Sequence, residues 1–304
     1  MSETGFRIFN RVFSAAAELL YAGLLAAFFR SFLPRERRRP GTLLAFSIYL
    51  LFELACSRAA LPQGSFALVL TALLLAASRW MGLSRSLTFL LTLFYFNARI
   101  SSGLMVQSLY FIMERSIPFR LEPPEAVFLR AASLVILFLV SHAAILAVML
   151  CALQRQMRKQ SMALQRRELC YLSLVPTAGI LFGQVISRLL IEFKDGVLLQ
   201  LYERHPAFLA VIPVLALLFY AGAWLTVAFQ QGMAALREEQ ATYFVERQQT
   251  QAIRARIHEA EQFYTRIRQL KHEMRGHMTN IKGLVQSGEY ASLEDYIAKM
   301  DESM

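Results

Sequence analysis

Seven apolar stretches of 17 to 28 residues punctuate the first three quarters of this 304-residue chain, at about 9–33, 41–60, 64–80, 86–113, 126–153, 169–192 and 206–231. A helix of about 20 residues crosses the hydrocarbon core of a bilayer. Lipid offers no partner to an open backbone, so spanning segments close their hydrogen bonds internally as helices or as a sealed barrel. Runs this long and this uniformly apolar are helical. With 56% of residues hydrophobic, the chain holds more apolar material than one water-soluble core can bury. The expected fold class is therefore all-α: a polytopic membrane bundle of about seven spans over residues 1–232, followed by a polar tail.

Charge follows the same division. Residues 233–304 hold 10 Lys and Arg against 11 Asp and Glu, leaving 22 against 11 for residues 1–232. The net +10 thus belongs to the membrane part, where it reads as topology and not as a nucleic-acid surface. With seven spans, residues 30–39, Arg79, Arg85 and residues 155–167 place 12 basic residues on one side, and eight scatter on the other. The concentrated set is expected inside, which puts the tail in the cytoplasm and the N-terminus outside. The stretch at 9–33 is too long for a signal-peptide core and is expected to stay as a span. Outer connections are short, so a signal must reach short loops, a cavity among the helices, or the lipid.

Three cysteines, Cys56, Cys151 and Cys170, lie in apolar stretches without ligand-like spacing; neither a disulfide framework nor a metal site is expected. Charges at mid-span are the sharper signal, because one at the membrane centre costs about 2.5–3.5 kcal/mol on insertion scales. Glu18, Glu53 and Arg99 qualify. Arg99 is expected to pair with Glu53 or Glu18, and His142 to hydrogen-bond between helices. The fourth span holds "FYFNARISSG" at its middle, polar enough to predict a broken or re-entrant helix. No internal repeat or matched pair of interrupted helices supports a transporter.

From Met233 no proline occurs and Gly276 and Gly283 are the only glycines before Gly288, which predicts one long helix continuing from the last span. Ile253, Ile257, Ala260, Tyr264, Ile267, Met274, Met278, Ile281 and Val285 follow steps of three and four, broken only at Lys271. That rhythm is the seam of a coiled coil or four-helix bundle. Upstream, Glu239, Glu246 and Thr250 fall on the seam and weaken it. The tail divides into a signalling helix, 233–267, and a helical hairpin, 268–304. Gly288 stops the first helix, and Ser292 with Asp295 is a capping-box candidate for the second.

At 100° per residue, Ile267, Met278, Ile281 and Val285 lie within about 40° of Met274. His277 lies about 60° from it, at the seam's edge, and His272 about 160° away with Gly276, Thr279 and Gly283. The two histidines therefore meet different surroundings: His277 packs, and His272 faces outward on a strip of small residues. A neutral imidazole is a nucleophile near physiological pH, and Glu273 beside it can accept or orient a ring proton.

The run "LKHEMRGHMTNIKGLVQSGEYASLEDYI" resembles the phosphoacceptor hairpin of GHKL-type sensor histidine kinases, the group that includes quorum-sensing peptide receptors. Lys271, His272, Glu273 and His277 match that pattern residue by residue. Gly276 stands where Asn is usual, so the resemblance does not extend to a dephosphorylation step that uses the Asn. It implies a two-component membrane kinase in which His272 takes a phosphoryl group and passes it to a response regulator, with Glu273 as proton acceptor, Lys271 and His277 in support, and a homodimer built through the hairpin; Gly276 and Thr279, on the outward face with His272, are further supporting candidates. The family's ATP-binding domain has no counterpart in residues 1–304, which contain no glycine-rich phosphate loop. ATP and Mg are therefore expected on a continuation of the chain or on another polypeptide, and residues 1–304 alone are not expected to autophosphorylate. Two other readings remain open: a membrane protein whose tail only dimerises, and a receptor that binds a partner without phosphotransfer.

Overall fold

The computed structural model describes residues 3–59, 63–116, 124–158, 166–194 and 197–303. They form helices α1 (Glu3–Arg30), α2 (Arg38–Ala59), α3 (Gln63–Met81), α4 (Arg85–Ser116), α5 (Pro124–Met157), α6 (Arg166–Leu189), α7 (Leu201–Arg204), α8 (Phe208–Ser287) and α9 (Tyr290–Ser303). A 3-10 turn at Arg35–Arg37 and an antiparallel hairpin, β1 (Ile191–Lys194) with β2 (Val197–Gln200), complete the chain. The architecture is that of an all-α membrane bundle with one small hairpin, at a connection where the sequence suggested only a loop. Among the described residues six helices are long and apolar enough to cross a membrane, and Phe66–Met81 adds a further apolar segment. The protein is thus multi-pass, as the apolar stretches of the sequence suggested.

Two compact units divide the chain, Met1–Ala234 and Ala235–Met304. In the first, α4 is the central element, packed against α3, α5 and α6. It is one unbroken helix of 32 residues, which corrects the expectation of a broken or re-entrant segment. The polar run at its middle needs no break, because Asn97, Ser101, Ser102 and Ser108 are buried against neighbouring helices. Serine hydroxyls find acceptors along the helix itself: Ser102 Oγ donates to Arg99 O at 3.0 Å and Ser108 Oγ to Leu104 O at 3.2 Å. Such back-bonding lets a polar side chain sit at membrane depth without an orphaned hydroxyl.

Close approach of α6 to α4 rests on two glycines one turn apart, Gly179 and Gly183. A Cβ on Gly179 would collide with Asn97 Oδ1, and one on Gly183 with Ile100 Cγ2. Lipid supplies no hydrophobic drive between spans, so small residues that let backbones close to packing distance are the main source of helix association. Where α3 ends, Gly82 takes φ +74°, its N–H bonds Arg79 O at 3.2 Å, and Leu83 N–H bonds Ser78 O at 3.0 Å. This is a Schellman cap, which closes the last carbonyls of the helix. Arg37 adds a charge-assisted donor there, with Nη1 3.0 Å from Arg79 O.

In the second unit α8 closes in the same way. Gly288 has φ +75°, with Gly288 N–H to Val285 O at 3.3 Å and Glu289 N–H to Leu284 O at 3.2 Å. The predicted stop at Gly288 is therefore the observed one. The capping box at Ser292 is not: α9 starts two residues earlier, at Tyr290, and Asp295 instead accepts from Lys299 Nζ at 2.8 Å. The Schellman turn reverses the chain so tightly that helical backbone resumes before Ser292. Half-buried positions then define the hairpin: His277, Ile281 and Leu284 on α8, and Leu293, Tyr296 and Met300 on α9. Both sets recur at three and four residues, one face of each helix.

Candidate functional sites in the bundle and the hairpin

Within the bundle, helix phase brings three tyrosines onto the charged positions. Tyr21 follows Glu18 by three residues, and Tyr49 and Tyr95 precede Glu53 and Arg99 by four, spacings that place each pair on one helix face. The guanidinium of Arg99 lies 4.5 Å from the ring centroid of Tyr21, 5.6 Å from that of Phe66 and 5.8 Å from that of Tyr49. Its Nη1 donates to Tyr49 Oη at 2.5 Å. Each cation–π contact contributes about 0.5–2 kcal/mol, more when desolvated, so three of them offset much of the cost of a charge at membrane depth.

The expected ion pair is not formed. Among the described residues Arg99 makes no salt bridge with Glu53 or Glu18, because tyrosine rings and a hydroxyl occupy its near shell. Glu18 accepts from Ser14 Oγ on its own helix at 3.2 Å. Glu53 Oε2 is buried without a hydrogen-bond partner.

A chain of hydrogen bonds ties Arg99 to two further helices. Tyr95 Oη donates to Tyr21 O at 3.0 Å. His142 Nε2 is 3.1 Å from Arg99 O, and its Nδ1 is 2.6 Å from Tyr21 Oη. A carbonyl oxygen can only accept, so Nε2 carries the proton and Nδ1 accepts from the tyrosine. His142 is thus a neutral bridge between α1, α4 and α5, the interhelix role its position suggested. The charged residues were legible in the sequence; the tyrosines were not singled out, although their spacing from Glu18, Glu53 and Arg99 was the available signal.

Arg99, Glu53 and His142 line one cavity of about 460 Å³, together with Phe66, Phe138, Gln107 and Gln184. It draws on the last two turns of α2, the first two of α3 and the end of α6, and so lies toward the end of the bundle that carries the α2–α3 connection. Small-molecule sites commonly fall between about 300 and 1,000 Å³.

The hairpin holds the second constellation. His277 is half-buried, with Nδ1 2.9 Å from Tyr296 Oη, and Asn280 Nδ2 donates to the same hydroxyl at 3.1 Å. The Tyr296 hydroxyl therefore accepts from Asn280 and shares a second hydrogen bond with His277, whose direction follows the imidazole tautomer. His272 is exposed and has no hydrogen-bond partner among the described residues. Lys271, Glu273 and Thr279 are exposed as well, and Thr279 Oγ1 donates to Arg275 O at 2.8 Å. Glu273 makes no hydrogen bond to His272 among the described residues, since adjacent helix positions diverge by 100°. A Cβ on Gly276 or Gly283 would meet nothing within 4 Å, so neither glycine is required by packing within the chain.

The three cysteines are free. Among the described residues no cluster of three or more His, Cys, Asp or Glu side chains could hold a metal ion. The fold and these two sites define a multi-pass helical membrane protein with a helical-hairpin tail. In comparison with known proteins, no family model, no curated protein and no solved structure matches the chain.

Proposed function

We propose that this chain is the sensor and phosphoacceptor part of an integral-membrane histidine kinase of a two-component system, with His272 as the phosphorylated residue. The supporting observation is the contrast within the hairpin: His277 is bound into the fold by Tyr296, whereas His272 stands exposed, without a partner, on a face lined by Gly276 and Gly283. Each interior glycine costs a helix about 1 kcal/mol relative to alanine. Nothing among the described residues needs the space they leave, and a second domain closing on His272 would.

A ring nitrogen of His272 attacks the γ-phosphorus of ATP, a P–N bond forms as the bond to the ADP oxygen breaks, and the ring's other N–H passes its proton to Glu273 or to water. ATP and magnesium supply the phosphoryl group and its charge neutralisation from an ATP-binding domain. An aspartate of a response regulator then takes the phosphoryl group from His272. The exposed apolar line Ile267, Met274, Met278 and Val285 is the face of a homodimer. The basic bias of the connections supports a cytoplasmic tail and, with seven spans, an outside N-terminus; in that orientation an extracellular or intramembrane signal reaches the hairpin through α8.

The purified chain, mixed with a GHKL-type ATP-binding domain and radiolabelled ATP, tests this reading. Acid-labile, base-stable label is expected on the chain, retained in His277→Gln and lost in His272→Gln. Label that persists in His272→Gln would overturn His272 as the phosphorylated residue, and no label at all would favour a dimerising or partner-binding tail without phosphotransfer.

A further inference from the structure

The cavity beside Arg99 holds a guanidinium and a carboxyl group that do not meet. Arg99 spends one guanidinium nitrogen on Tyr49 Oη; its Nε and Nη2 have no hydrogen-bond partner among the described residues, and the side chain lines the cavity. Glu53 lines the same cavity, and its Oε2 accepts nothing although it is buried. A carboxyl oxygen without a partner in such surroundings is costly, and direct contact with Arg99 would relieve it. Instead the guanidinium lies over the rings of Tyr21 and Tyr49 and donates to the Tyr49 hydroxyl.

The remaining wall divides by chemistry. Phe66 and Phe138 are apolar surfaces, whereas the side-chain amides of Gln107 and Gln184 bear both donors and acceptors and have no hydrogen-bond partners among the described residues. A volume of about 460 Å³ accommodates a molecule of amino-acid size or a small headgroup. Its wall charges sum to zero if both groups are ionised, so an anion alone would leave Glu53 unanswered and a cation alone would leave Arg99 unanswered. Only a molecule carrying both signs, with an apolar part for the phenylalanines, satisfies every group on the wall.

We propose that this cavity binds a small zwitterion: an anionic group hydrogen-bonded to Nε and Nη2 of Arg99, an ammonium group facing Glu53, and an apolar moiety against Phe66 and Phe138. Bridging by the ligand takes the place of a direct Arg99–Glu53 ion pair. Two sources share this chemistry, an amino-acid-like solute with a carboxylate and a lipid headgroup with a phosphate. The proposal goes beyond the phosphotransfer reading and does not depend on His272.

Ligand-dependent thermal stabilisation and calorimetric titration of the full chain in dodecyl maltoside micelles test it. The probes are L-phenylalanine, lysophosphatidylethanolamine, phenylacetate as the anion alone and phenethylamine as the cation alone. Saturable binding of at least one zwitterion is expected, at least tenfold tighter than either single-charge probe. Binding of L-phenylalanine alone assigns a solute, and binding of the lysolipid alone assigns a headgroup. Glu53→Gln, which keeps the shape of the side chain, should weaken that binding at least tenfold, and Gln184→Trp, which fills the cavity from another helix, should abolish it. Failure of both zwitterions to bind, equal binding of phenylacetate, or unchanged affinity in Glu53→Gln would overturn the proposal.

Discussion

The Tyr296 hydroxyl on α9 is hydrogen-bonded to Nδ1 of His277 on α8 across 2.9 Å, while accepting from Asn280 Nδ2 at 3.1 Å. One hydroxyl thereby joins the two arms of the hairpin and withdraws the second histidine from solvent. Its removal in Tyr296→Phe keeps the ring and deletes both bonds. The hairpin should lose about 1 kcal/mol, seen as faster amide hydrogen exchange over residues 290–303 with α1–α6 unchanged. His272→Gln should leave that exchange pattern alone, because the side chain touches nothing that holds α9.

Open space beside Gly276 and Gly283 separates two reasons for keeping a glycine. In Gly276→Ala with Gly283→Ala no clash arises, and each change should stabilise the helix by up to about 1 kcal/mol. Circular dichroism should show a tail that melts later. If a second domain uses the space, labelling of His272 should fall at least tenfold in the same variant; later melting with undiminished labelling would remove the functional reason for the glycines.

At Gly183 the opposite result is expected. A side chain there meets Ile100, so Gly183→Val must push α6 away from α4, and overpacking of this kind costs about 1–3 kcal/mol. Thermal unfolding in detergent should show the loss. Restoring room with Ile100→Ala in the same chain should recover part of it, an outcome that general damage to the helix would not give.

Met274 and Met278 are 58% and 64% exposed, on the side of α8 that α9 does not cover. Replacing both with Glu removes apolar surface without touching the His277–Tyr296 contact. Sedimentation should then show a shift from dimer to monomer, with α8 still helical. A chain already monomeric before the substitution would exclude the seam as a dimer face.

What could be read along the chain was what each helix decides by itself. Apolar length marked the spans, the φ-permissive Gly288 marked the end of α8, and 3.6-residue periodicity set His272 and His277 on different sides of one helix. These properties arise from hydrogen bonds four residues apart and from the phase they impose. Tertiary structure decided which faces meet. Arg99 was recognisable as a charge in need of a partner, but the carboxylates suggested for it are not its contacts. Its partners, Tyr21 and Tyr49, lie on α1 and α2, and the ring geometry that admits them exists only once those helices have packed. The polar middle of α4 likewise looked like a break when read alone. It stays helical because the surrounding helices bury it and its serines bond back to its own carbonyls: the cost of a polar group in a membrane depends on its neighbours, and its neighbours are distant in sequence.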